Sequence, residues 1–368
     1  MFRRRPNTLP PDPVFEPNLD KLGFFVNEHD QIRMIKNPEA KYTFGMNKNE
    51  RVNHLYRQAC NTAIRKIVRD RLTTLGFETV RLPLGASADE KHIPILVSKD
   101  IASKDRVIVL FGERHQEPGI FSWRVLGEEG INVGSAVDFA SAAMFGPIPT
   151  LAHFAPGIVV ANPCQLLWYR GGGRAVSSDE WLNLPRASGV SEPFKVDDLK
   201  NRVLGNGNYE EHVRYVFEEV LPQLMRKEAK IDVVGIEYPG STAVEYLANH
   251  WDTWSTRVIG IALIAPQHKV QDLKAYGASR EFLDFLSKRM RAYFVSPEKL
   301  ETAITGREVF GCNCFASGES LYQENAIVRS WRSILDWFNR LYADPEFQEV
   351  PFAGVDGAEG GGELQITW

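Results

Sequence analysis

The chain has 368 residues and a mass of 41.6 kDa, enough for one large α/β domain or two ordinary ones. Hydrophobic residues make up 43% and charged residues 24%, the balance of a globular protein with a full core. A net charge of −4 excludes a global electrostatic signature for nucleic acid, so any such contact would need a local patch.

In chain order, residues 1–17 are proline-rich and predict a disordered arm. They lack the apolar core of a signal segment, and no apolar run approaches the ~20 residues of a membrane span. The expected compartment is therefore cytosolic or nuclear. Residues 18–345 read as a single domain, and 346–368, with "GVDGAEGGGELQ", as a mostly disordered tail.

"LGFFVNEHDQIRMI" predicts a hairpin turning at Asn27–Asp30. A long amphipathic helix follows, capped near Asn47 or Asn49 and ended at Gly76, with its basic residues mainly off the apolar stripe. "HIPILVS" reads as an edge strand, because Pro94 would break a central ladder. "RVIVLFG" and "GIVVANP" are continuous apolar runs expected of buried strands, separated by the helix "SAVDFASAAMFG". The polar stretch from Gln165 to Asn208 has no period and reads as an excursion. "NYEEHVRYVFEEVLPQLMRKEAK" predicts a helix kinked at Pro222.

Beyond it, strands "IDVVGIE", "TRVIGIALIAP", "RAYFVSP" and "VFGCNCFAS" alternate with helices, the last being "ENAIVRSWRSILDWFNRLY". Such alternation predicts a three-layer α/β fold, a mostly parallel sheet with helices on both faces, to which the hairpin and long helix are added.

The four cysteines, Cys60, Cys164, Cys312 and Cys314, match neither a disulfide framework nor zinc-site spacing and are expected as buried thiols. No metal or cofactor site is expected. His54 and His212 read as surface or capping residues, and Trp331, Trp337 and Phe338 as core. "YRGGGR" after Trp168 has the composition of an RNA-contacting loop, with a surface insertion as the blander account.

The join "DVVGIEYPGSTAVEYL" carries the chemical question. In α/β hydrolases such a strand–turn–helix join holds G-x-S-x-G with serine at its tip, and here Glu237 stands at that point with Pro239 two residues on. The acid expected after the strand "RAYFVSP" is at best Glu298. Tyr322 falls where the relay histidine is wanted, and no histidine lies beyond His268. A serine–histidine–acid relay needs an imidazole to accept and return a proton. The plain reading of Glu237 is a turn acid favoured at a helix start. The sharper one makes it a nucleophile or base paired with His268, or replaces it with Ser241, one turn into the helix.

With these residues in view, the chain resembles the Argonaute-binding (Arb2) domain family, to which the FAM-one-seven-two cotranscriptional regulators are related; it looks like a stand-alone fungal member. The resemblance runs from about Leu22 to Tyr342. It is carried by "LGFFVNEHDQIRMIKNPEAKYTF", "VIVLFGERHQEPGIFSWRVLGEEGINVGSAVDFASAAM", "VVANP" and "EEHVRYVFEEVL" in order. It implies an α/β-hydrolase-like fold and, since animal relatives carry H-S-x-G-G where this chain has "IEYPG", a degenerate elbow. Phe111-Gly112-Glu113 likewise stands where the family has an H-G oxyanion turn. The resemblance thus implies a non-catalytic silencing module with Argonaute-complex or histone deacetylase-complex partners, in the nucleus and also the cytoplasm. The remnant pocket would be marked by Gly112, Glu113 and His268, and the degenerate positions by Glu237 and Tyr322. The alternative is a divergent hydrolase using Glu237 with His268.

Overall fold

A computed structural model describes residues 10–41, 43, 45–146 and 155–352. Its centre is a nine-stranded sheet. Phe24–Val26 (β1), Ile32–Met34 (β2) and Asn37–Lys41 (β3) form a separate antiparallel sheet, in which Asn27 closes the hairpin turn with Gln31 and Asp30 adopts φ 63°. The expected hairpin is there, with a third strand added.

Helix α1, Glu50–Thr74, starts at Asn49, whose side chain accepts the N–H groups of Arg51 and Val52, and stops before Gly76 at φ 99°. The main sheet then runs through Phe77–Leu82 (β4), Ile93–Ser98 (β5), Arg106–Phe111 (β6) and Gly157–Val160 (β7). After the hairpin Leu167–Tyr169 (β8) and Arg174–Val176 (β9), it resumes with Lys230–Ile236 (β10), Val258–Ile264 (β11) and Met290–Phe294 (β12). Ala303–Ile304 (β13) and Asn313–Ala316 (β14) complete it.

The spatial order is β13-β14-β12-β11-β10-β6-β7-β5-β4. Neighbours from β7 to β14 run parallel, while β5 is antiparallel to both β4 and β7. Leaving β13 aside, this is the α/β-hydrolase order with its one reversed strand, and the expected fold class holds.

Alternation along each strand sorts the core into two layers. Ile108, Leu110, Val234, Ile236 and Tyr293 face α1 and the helices Ala136–Phe145 (α2) and Ala326–Ala343 (α4). Val107, Val109, Phe111, Val233 and Leu263 face the helix Glu237–Asn249 (α3), the one running from Tyr209, and Phe282 and Leu286. Trp331, Trp337 and Phe338 are buried in the first layer, as expected.

Several local expectations need correction. β5 is an interior strand, not an edge. Pro94 is tolerated because β5 and β7 pair only at Leu96–Val160 and Val97–Val159, and the Pro94 carbonyl accepts the Asn162 side chain at 2.8 Å. "VFGCNCFAS" forms a strand only from Asn313, since Arg307–Phe310 coils and Gly311 turns at φ 79°. Instead of a kink, a wider π turn at Val216–Val220 precedes Pro222. The excursion is ordered by β8, β9 and two short helices, Ser178–Leu182 and Asp198–Asn201.

Residues 10–17 are pinned to the domain, because Asp12 meets Arg51 at 2.6 Å and Phe15 packs edge-on against Tyr56. Residues 346–352 are pinned as well: Glu349 pairs with Arg291 at 2.6 Å and Phe352 lies edge-on to Phe315. Residues 1–9 of the expected arm and 353–368 of the expected tail lie outside the described residues.

Candidate functional site at the strand-to-helix elbow

Glu237 follows β10 directly and opens α3 with φ 52°, a left-handed conformation that non-glycine residues avoid. The turn is tight because β10 and α3 touch backbone to backbone. A Cβ added to Gly235 would lie 2.3 Å from the Gly240 Cα, and one on Gly240 would lie 2.6 Å from the Gly235 carbonyl carbon. G-x-E-x-x-G therefore makes a tight, strained elbow as G-x-S-x-G does, with a glutamate at its tip.

The Glu237 carboxylate receives the side-chain amide of Gln323, from the loop after β14. The expectation put Tyr322 at the histidine position; the structure brings in its neighbour. Tyr322 turns aside, half exposed, with the Arg124 guanidinium 3.7 Å over its ring, and Arg124 approaches Glu324 at 3.5 Å.

Glu319, which was not anticipated, shapes this loop. Its Oε1 accepts the N–H groups of Ser320, Leu321 and Tyr322 at 3.0, 2.9 and 3.3 Å, and its Oε2 accepts the Asn325 amide at 3.2 Å. Burial alone would raise its pKa, but these bonds outweigh it and hold the carboxyl below its ordinary value. The sequence signal was an acid directly after Gly318, at φ 79°, ahead of a run of free N–H groups.

His268 is brought near the elbow by backbone but not by side chain. Its N–H reaches the Ser241 Oγ at 3.2 Å, and the Gln267 N–H reaches the same oxygen at 2.7 Å. The Ser241 hydroxyl itself donates to the Glu237 carbonyl at 3.0 Å, so it ties the end of β11 to the elbow. The imidazole is 4% exposed, and its Nε2–H donates to the Phe310 carbonyl at 3.2 Å. Burial lowers its pKa to about 4, so the ring is neutral at pH 7. The Glu237–His268 pairing of the alternative reading is not formed among the described contacts. At the expected acid position Glu298 is exposed, and its N–H donates to the Ser296 Oγ at 3.2 Å.

At the turn expected to correspond to an oxyanion turn, Gly112 fronts open space, where an added Cβ would meet nothing within 4 Å. Glu113 beside it is half-buried, and its Oε1 accepts the His115 N–H at 3.0 Å. Burial first, and then the negative charge of Glu237, push the Glu113 carboxyl up to about 7. Arg114 lies 4.4 Å over the Tyr238 ring on the elbow's other flank.

Elsewhere, the aromatics of the "YRGGGR" hairpin are spent on packing: Trp168 is buried and Tyr169 stands edge-on to Trp181. His212 is no surface residue. It is fully buried and neutral, with Nδ1–H donating to Asn206 at 2.6 Å and Nε2 accepting the Asn162 N–H at 2.9 Å. His54, on the exposed side of α1, lies 3.9 Å from Glu50. All four cysteines are buried and outside any disulfide, and no group of His, Cys, Asp and Glu among the described residues is arranged to hold a metal ion.

The model of the Arb2 domain matches residues 15–300. No curated protein is matched. Among solved structures, MPT51 of Mycobacterium tuberculosis is 11% identical with a TM-score of 0.28, covering 73% of this chain and 85% of its own. A truncated carbohydrate esterase from gut microbiota is 10% identical with a TM-score of 0.31, over 73% of this chain and 96% of that one. An α-amino acid ester hydrolase is 14% identical with a TM-score of 0.25; the match covers 53% of this chain and only 26% of that one.

Proposed function

The chain belongs to the Arb2 domain family, and from that premise we propose that it is a non-catalytic, hydrolase-like protein-interaction module. Its partners, on this reading, are subunits of an Argonaute complex or a histone deacetylase complex, and it works in the nucleus. The observation that carries the proposal is the bond from Gln323 to Glu237. An amide at the histidine position can neither accept nor return a proton, and His268 has its Nε2–H committed to Phe310. Protein contact is favoured over RNA because five of the six Lys and Arg residues of α1, all but Arg69, are paired internally: Arg51 with Asp12, Arg57 with Asp179, Arg65 with Glu117, Lys66 with Asp70 and Arg71 with Asp30.

Affinity capture from fungal nuclear extract tests the reading. Recovery of Argonaute or deacetylase subunits, undiminished by Glu237→Gln, is the expected result; recovery of neither set defeats the partner assignment.

One observation favours a second reading, a divergent hydrolase. Burial and then the neighbouring Glu237 push the Glu113 carboxyl up to about 7, the range in which a carboxyl can serve as a general acid or base beside the elbow. Here Glu113 takes the role first considered for His268. Turnover of any ester or phosphate in a broad panel, lost in both Glu237→Gln and Glu113→Gln, would establish it and remove the silent reading.

A further inference from the structure

β4 is the outermost strand at one end of the sheet and pairs only with β5. Pro94 stands opposite Arg81 in that ladder and has no N–H to give. By the alternation of an antiparallel pair, Glu78, Val80 and Leu82 therefore bond to β5, and the N–H and C=O groups of Phe77, Thr79 and Arg81 point outward. Among the described residues no backbone group receives them. Glu78, Thr79 and Arg81 are exposed, so the edge is open.

Where β4 ends, a groove of about 520 Å³ begins, lined by Pro83, Leu84, Ala86, Val203 and Leu204 with Glu90 and Lys91. Its far wall comes from the excursion that the sequence left unexplained, and Leu204 there is 87% exposed. Nearby, Leu199 is 88% exposed on the segment whose carbonyl Lys91 holds at 2.6 Å. Leucines so exposed beside an apolar groove mark a contact surface. The cations around it are engaged: Lys91 with the carbonyls of Leu199 and Arg202, Lys200 with Asp197, and Arg202 with Asp198. Among the described residues Asp89 meets no cation, and Glu90 is held only by the backbone and side chain of Ser87. Arg81 at the end of β4 has no acid partner either, but alternation sets it on the Phe77 face of the strand, away from the groove, so the charge left over on the rim is acidic.

We propose that β4 and this groove form a strand-addition site for an extended peptide of a partner protein, one that lays its backbone along Phe77–Leu82 and places a large aliphatic side chain, followed by Lys or Arg, over Leu204 and Asp89–Glu90. Backbone pairing supplies the affinity and the anchor pocket the selectivity. The site lies away from the elbow, so it stands whether or not Glu237 has a chemical role.

The probe is a fluorescein-labelled peptide of alternating Val and Thr ending in Leu-Lys-Arg, followed by anisotropy on the full chain. Saturable binding is expected, with protection of the Thr79 and Arg81 amides in hydrogen exchange. Leu204→Asp, replacing an exposed side chain, should weaken it about tenfold or more. Thr79→Pro removes only an outward N–H and should do the same; an unchanged melting temperature shows that this variant is folded, and loss of binding in Leu204→Asp carries the test if it is not. No saturation in the millimolar range, or binding indifferent to Leu204→Asp, overturns the proposal. A dimer in sedimentation that Leu204→Asp dissolves also overturns it, by making a second copy the occupant.

Discussion

The amide of Gln323 closes on the carboxylate of Glu237 from a loop 86 residues further along the chain. On the proposed reading their bond occupies the place where a hydrolase keeps its histidine and its nucleophile. Glu237 has the strained backbone of such an elbow at φ 52°, and the backbone and the chemistry can each be tested alone.

If the elbow is strained, Glu237→Gly should be more stable than Glu237→Ala by about 1 kcal/mol, because only glycine occupies this region freely. Urea unfolding of the two variants decides it. Equal stability would mean that the turn relaxes when the Gln323 bond is removed.

Gly235→Ala should be among the most damaging single-methyl changes in the chain. Its Cβ would meet the Gly240 backbone at 2.3 Å, and backbone cannot step aside as a side-chain tip can. A loss of about 3 kcal/mol is expected from such overpacking. Gly277→Ala is the control, since a Cβ there meets nothing and only the φ of 90° opposes it. Comparable losses in the two would refute the close β10–α3 contact.

Glu319→Ala should free the loop that delivers Gln323. Three backbone N–H groups and the Asn325 amide lose their acceptor. A destabilisation of about 2 kcal/mol is expected, with faster amide exchange at Ser320–Tyr322. Exchange there at the wild-type rate would show that the loop is held by other contacts.

The two buried histidines should cost stability as pH drops below about 6.5. His212 and His268 are held neutral by burial, with pKa values lowered from 6.5 to about 3 and about 4. Between those values and 6.5 the unfolded chain binds protons that the folded chain refuses, so stability is complete above 6.5 and lost towards acid. Each unit of depression corresponds to about 1.4 kcal/mol, and above about pH 4.5 the two histidines contribute alike. Asp232 acts in the opposite sense. Burial outweighs its bond to Arg106 and raises its carboxyl to about 6, so between 3.8 and 6 it favours the folded state as pH falls. Glu113, raised to about 7, acts in the same sense as Asp232 between 4.5 and 7 and offsets much of the histidine loss, so the test is differential. Between about pH 8 and pH 4.5 the urea midpoint should change less favourably in Glu113→Gln than in the wild type, and more favourably in His212→Gln. Profiles in His212→Gln parallel to the wild type would sink the assignment.

The periodicities of the chain were enough for α1, the buried strands and the layered α/β plan, because apolar spacing is a local property that burial later enforces. Alternation in "RVIVLFG" sends Val107 and Ile108 to opposite core layers whatever their neighbours. The missing serine and histidine were equally plain, since an absent residue needs no coordinates. Four things were beyond it: Gln323 rather than Tyr322 at Glu237, the buried His212, the interior place of β5, and the role of Glu319 in its loop. Each depends on which groups distant segments bring together. A one-residue difference in where a loop arrives, or a side-chain amide meeting a proline carbonyl, is settled by packing across the sheet and leaves no period in the sequence.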